Sequence, residues 1–84
     1  MATGQSTLRQ QRLDTIRSIR VNRQLHSFFK WKLFKYQEAE EAYLLEKGSE
    51  GAVEICRRNI EAFTKAVITA RTRLLELEIK LESL

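Results

Sequence analysis

The chain has 84 residues and a net charge of +4, which leaves room for one small domain and excludes a second. Its single cysteine excludes an intramolecular disulfide, and its apolar runs are far shorter than the roughly 20 residues that span a bilayer. Residues 1–12 also lack the apolar stretch of a secretory signal, so we expect an intracellular protein in the cytoplasm, with the nucleus and the mitochondrion as alternatives.

The first predicted element after a flexible N-terminus at residues 1–6 is a long helix. From about Thr7 to Lys47 the chain is rich in Leu, Arg, Lys, Gln, Glu and Ala, and it contains neither proline nor glycine. These are good helix formers, so we expect helix one to cover about residues 7–47. Such a helix is roughly 60 Å long and needs a partner along its length.

The next element is a turn at residues 48–51. Gly48 can adopt the left-handed conformation that closes a helix, and Ser49 can cap the following helix, with Glu50 favourable in its first turn. Helix two is therefore predicted over about residues 50–84.

Helix two carries an apolar seam in which the residues alternate in steps of three and four, as in a coiled coil. Its members are Val53, Cys56, Ile60, Phe63, Val67, Ala70, Leu74, Leu77, Leu81 and Leu84. A less pure seam on helix one follows the same steps: Ile19, Asn22, His26, Phe29, Leu33, Tyr36, Glu40 and Tyr43. If the turn makes the helices antiparallel, facing residues have numbers that add up to about 99, and large side chains meet smaller ones. The predicted fold is an all-α antiparallel helical hairpin.

Some large apolar residues fall outside these seams. They are Trp31, Phe34 and Leu45 on helix one and Ile68, Leu75 and Ile79 on helix two. A hairpin alone leaves them in solvent, so we predict that they form an interface with further helices. The additional helices could come from a second copy of the chain or from another protein.

The N-terminal half of the chain is strongly basic. Residues 1–37 contain eight Lys or Arg residues against Asp14 alone, whereas residues 38–84 contain seven against ten glutamates. An arginine stripe on helix one is formed by Arg9, Arg12, Arg20, Arg23 and Lys30. We expect it to face an acidic partner: nucleic acid, an anionic membrane surface, or an acidic helix that includes the glutamate-rich half of another copy. A basic face that is merely solvated is the alternative.

Two residues could suggest nucleophilic or metal chemistry, and a third is a polar residue within the seam. In the antiparallel register Cys56 and His26 lie on the order of 25 Å apart, too far for a catalytic pair or a shared metal. We expect Cys56 to be packed in the seam, and His26 to be packed at its edge or to act as a pH switch. Glu40 is a polar seam residue that could fix the register by facing Asn59 or a basic residue. No catalytic, cofactor-binding or metal-binding residue is predicted.

The pattern as a whole predicts a small, non-enzymatic coiled-coil subunit or adaptor that assembles a multi-helix complex. No small-molecule substrate is expected. One alternative is a nucleic-acid-associated protein that binds phosphates through the arginine stripe, supported by the aromatic and basic residues between positions 28 and 36. Another is a helical protein at a membrane surface or targeted to mitochondria, since the N-terminus is rich in arginine and poor in acid.

Overall fold

Two long helices account for almost all of the structure. The computed structural model describes residues 4–84, and it describes side chains from Thr7 onward. Helix α1 covers Gly4–Leu44 and helix α2 covers Glu50–Ser83. They lie side by side as a hairpin of 70 × 15 × 14 Å, which confirms the predicted all-α antiparallel fold.

Contacts between the two helices give the register of the hairpin. The rings of Tyr36 and Phe63 stack with their centroids 5.7 Å apart. Nearer the open end, Arg23 forms an ion pair with Glu78 at 3.7 Å. Because both pairs have numbers that add up to about 99, the predicted register is confirmed.

The core of the hairpin is the seam between its helices. On α2, Val53, Cys56, Ala70 and Leu77 are buried, and the other predicted seam residues are at least half-buried. On α1, Ile19 is buried, whereas Tyr43, which was predicted in the seam, is 38% exposed because α1 ends one residue later. Thr15, which the predicted seam did not include, is only 2% exposed. The Thr15 hydroxyl donates a hydrogen bond to the Gln11 carbonyl oxygen at 2.7 Å, so its burial leaves no unsatisfied donor.

Helix α1 differs from its prediction at both ends. It begins at Gly4, so the N-terminus predicted to be flexible is helical over residues 4–6, and residues 1–3 lie outside the described part of the chain. It ends at Leu44, three residues before Lys47, with short-range hydrogen bonds from the Leu45 and Glu46 amides to the carbonyls of Ala42 and Tyr43. Residues 45–49 connect the two helices.

The turn confirms one predicted cap and corrects another. Gly48 has a positive φ of 79°, as the prediction of a left-handed residue requires. Ser49 is the N-cap residue of α2, but its hydroxyl makes no capping hydrogen bond. The hydroxyl instead donates to the Glu46 carboxylate at 3.2 Å, because that carboxylate lies within reach on the other side of the turn.

The two glycines of the turn provide a matched test of its geometry. Gly48→Ala places a Cβ at φ 79° and should lower the free energy of unfolding by about 1 kcal/mol. Gly51→Ala lies in the first turn of α2 with open space around it and should raise the free energy of unfolding by about 0.5–1 kcal/mol. Urea unfolding followed by circular dichroism measures both values, and equal effects would contradict the structure of this turn.

Candidate helix-packing and acidic-partner surfaces

The residues predicted to form a partner interface lie on the outside of the hairpin. Trp31, Phe34 and Leu45 on α1 and Ile68, Leu75 and Ile79 on α2 are between 53% and 89% exposed. Within the single chain, none of the six is buried by the seam. Their place in an interface remains a prediction, and the structure leaves them free to take part in one.

The hairpin exposes more surface than a compact protein of its mass. Its accessible surface is 6708 Å², whereas a globular monomer of 9.9 kDa has about 5200 Å². Among the described residues, the exposed large hydrophobic residues outnumber the buried ones. Surface of this kind commonly marks a site of association.

An aromatic cluster with attached cations covers the middle of α1. The ring of Phe28 lies 6.4 Å from that of Trp31. The Lys32 ammonium lies 5.7 Å from the Trp31 ring centroid, and that of Lys35 lies 6.0 Å from it. Phe28 is 48% exposed and belongs to this surface. It was not among the predicted interface residues, because it is adjacent to the seam residue Phe29. The cluster therefore combines apolar rings with positive charge.

An open apolar groove of about 520 Å³ runs along one side of the hairpin. Its walls include Leu25 and Phe29 of α1 and the small residues Ala62, Ala66 and Ala70 of α2. The groove forms because the side chains of its α1 wall are large and those of its α2 wall are small. Leu25, which is 42% exposed, was not among the predicted interface residues.

The arginine stripe is partly used within the hairpin. The Arg12 guanidinium donates a hydrogen bond to the Leu84 carbonyl oxygen at 2.7 Å, and Arg23 is paired with Glu78. Arg9, Arg20 and Lys30 are exposed, and none of the three forms an ion pair with another described residue. Three of the five cations therefore remain available to an acidic partner.

The polar seam residue Glu40 forms an ion pair with a basic residue of the other helix. Its carboxylate accepts a hydrogen bond from Nε of Arg57 at 3.2 Å, and its side chain is 25% exposed. Asn59, the other predicted neighbour, instead donates to the Ile55 carbonyl oxygen on its own helix. The Glu40–Arg57 pair links the helices close to the turn and so helps to hold the register.

The two residues that could have suggested chemistry lie apart in the hairpin. Cys56 is 4% exposed and is a free thiol in the seam, whereas His26 is half-buried in the middle of α1. No cluster of three or more His, Cys, Asp or Glu side chains with metal-binding geometry occurs in the described part of the chain. Neither helix, over its described residues, contains a segment apolar and long enough to pass through a bilayer.

Comparisons with protein-family models, with curated proteins and with solved structures found no match to this chain.

The division between seam and outer face can be measured on neighbouring residues of α2. Leu77 is 4% exposed and Ile79 is 66% exposed. In the isolated chain at low concentration, Leu77→Ala should lower the free energy of unfolding by about 2–4 kcal/mol, and Ile79→Ala by less than about 0.5 kcal/mol. Chemical denaturation measures the two values, and a larger loss for Ile79→Ala would mean that the faces of α2 are assigned the wrong way round.

Proposed function

We propose that this protein is a non-enzymatic helical subunit that assembles a multi-helix complex. The observation that carries the proposal is the exposure of Trp31, Phe34, Leu45, Ile68, Leu75 and Ile79 on the outer faces of the hairpin. A hairpin that packs against further helices removes this apolar area from water, and the gain is roughly 25 cal/mol for each Å².

The aromatic residues of α1 are the best candidates for the centre of such an interface. Binding energy at protein interfaces is concentrated in a few residues, among which Trp and Tyr are enriched. Trp31 is the only tryptophan in the chain, and it lies on the outer face of a helix that the seam already holds in place. A side chain presented by a preformed helix loses little entropy on binding.

The arginine stripe supplies the second part of the proposal, which is an acidic partner. Arg9, Arg20 and Lys30 are spread over about 30 Å of the helix, so they suit an extended acidic surface better than one small anion. Charges at the edge of an interface mainly accelerate association and select the partner. In this role the stripe directs the encounter, and the outer apolar residues provide most of the affinity.

A second candidate function, binding to nucleic acid, is favoured by one specific feature. The unpaired cations of the stripe lie on the same helix as the exposed rings of Phe28, Trp31 and Phe34, and such rings can stack on bases. An anionic membrane surface could use the same residues. Both alternatives depend on the stripe, whereas helix packing depends on apolar residues of both helices, so substitutions can separate them.

Truncation of the outer aromatic residues tests helix packing. The double variant Trp31→Ala, Phe34→Ala should weaken association by about 3 kcal/mol, which is more than 100-fold, because both rings are buried in the complex. Light scattering should find wild type associated and the variant dissociated, while circular dichroism finds both helical.

Val21→Ala is the matched control, since Val21 is 53% exposed but lies outside the predicted interface. It should associate as wild type does. A wild-type chain that stays monomeric, with Trp31 fully quenched by acrylamide inside its native complex, would remove the basis of helix packing.

Neutralisation of the stripe tests the second candidate. If phosphates bind there, the variant with Gln in place of Arg9, Arg12, Arg20 and Arg23 should lose binding to oligonucleotides or anionic vesicles, and wild-type binding should weaken steeply with added salt. The control replaces Arg58, Lys65, Arg73 and Lys80 of α2 by Gln and changes the net charge equally. Fluorescence anisotropy and vesicle sedimentation provide the readout. Equal losses in both variants would indicate general charge attraction, and no loss would leave the stripe a solvated face.

A further inference from the structure

A second stripe follows the outer face of α1 and continues one residue beyond its end. In its C-terminal half the stripe contains Trp31, Phe34, Glu38, Ala42 and Leu45, which follow one another in steps of three, four, four and three. All five side chains are exposed. Alternation of this kind keeps residues on one face of a helix, so the stripe is a coherent strip of surface on the outside of the hairpin.

The N-terminal half of the stripe has the same spacing. Leu13, Ile16, Arg20, Gln24 and Ser27 follow one another in steps of three, four, four and three, and each is exposed. The step from Ser27 to residue 31 is four. The order of steps is thus the same when read from either end, and the stripe is symmetric about position 29.

A stripe with this symmetry can pack against an antiparallel copy of itself. In such a pair, facing residues have numbers that add up to 58, and a two-fold axis passes near position 29. A two-fold interface requires a surface that complements itself, so each contact occurs twice. Over positions 13–45 the contact is about 48 Å long. In the N-terminal half of the stripe, Ile16, Arg20 and Gln24 border an open groove of about 510 Å³ whose other wall belongs to α2.

Two of the five facing pairs combine a large side chain with a small one, whereas Gln24 faces Phe34. Trp31 of one copy faces Ser27 of the other, and Ile16 faces Ala42, so a large residue meets a small one in both cases. At the ends of the contact Leu13 meets the second copy's leucine at position 45. Close packing between helices requires this alternation of large and small side chains.

The facing charges also match. Arg20 faces Glu38 of the other copy, and Arg20 forms no ion pair with another described residue of its own chain, while Glu38 has only a loose pair with Lys35 at 3.9 Å. More broadly, the basic first half of α1 is placed against the acidic region that contains Glu38, Glu41 and Glu46. A parallel arrangement would place like charges together, at a cost in affinity.

We infer that the outer face of α1 binds a second copy of this chain, antiparallel, with Arg20 of each copy opposite Glu38 of the other. The inference rests on the proposed function, since it names the partner of the α1 face. It concerns neither the groove beside Leu25 nor the apolar residues of α2, which remain free for further helices.

Charge reversal across the two-fold axis tests the arrangement by sedimentation equilibrium of the purified chain. Arg20→Glu and Glu38→Arg alone should each raise the dimer dissociation constant about tenfold or more, because two attractive pairs become repulsive. The double variant should return to the wild-type value. A mixture of the two single variants should also associate, as a heterodimer in which both pairs are restored.

The control is Arg58→Glu, which reverses an exposed charge on α2 that pairs with Glu54 of its own helix at 3.2 Å; it should leave the dissociation constant of the dimer unchanged. The inference is overturned if neither single reversal changes the dissociation constant of the dimer. It is also overturned if the mixture of the two single variants fails to associate. A chain that is monomeric at high micromolar concentration overturns it as well. In that last case, protection of Trp31 in the complex from native cells would still support the proposed function, with a different protein as the partner.

Discussion

Two helices lying side by side can bury only one strip of each, and this constraint determines the rest of the molecule. The buried strip is the seam in which Tyr36 stacks on Phe63 and in which Thr15, Cys56 and Leu77 are most fully enclosed. Everything outside it stays in contact with water, including large apolar side chains on both helices. Over its described residues, a hairpin of this kind has a register and a shape, and its core is a single strip between two helices.

The periodicity of the sequence was sufficient to predict the helices and their register. Steps of three and four identify the seam because a buried strip must repeat at the helical period, and the two seams fit together in one antiparallel alignment. The ends of the elements were less predictable. Lys47 is a good helix former, but the chain has to leave the helix at Leu44 to reach the second one. Helix propensity cannot predict this end, because the position of the end is determined by the distance between the packed helices.

The surfaces were predictable in part. Residues far from the seam were recognised from helical phase, and they are exposed as expected. Phe28 and Leu25 were missed because one adjoins a seam residue and the other lies at the seam's edge, where phase alone does not separate burial from exposure. The partner of Glu40 also depended on side-chain reach, which favours the long Arg57 over the shorter Asn59. In the same way, the sequence shows the basic and acidic halves of the chain, while the fold brings Glu78 and Glu82 of α2 beside Arg20 and Arg23 of α1.

According to the proposed function, further helices bury the outer faces of the hairpin. Hydroxyl-radical labelling measures this burial when the isolated chain at low concentration is compared with the assembly purified from its native cells. Trp31, Phe34 and Ile79 should react readily in the isolated chain and lose most of their reactivity in the assembly, while the already buried Leu77 stays unreactive in both. Equal reactivity of the three outer residues in the two samples would contradict the claim.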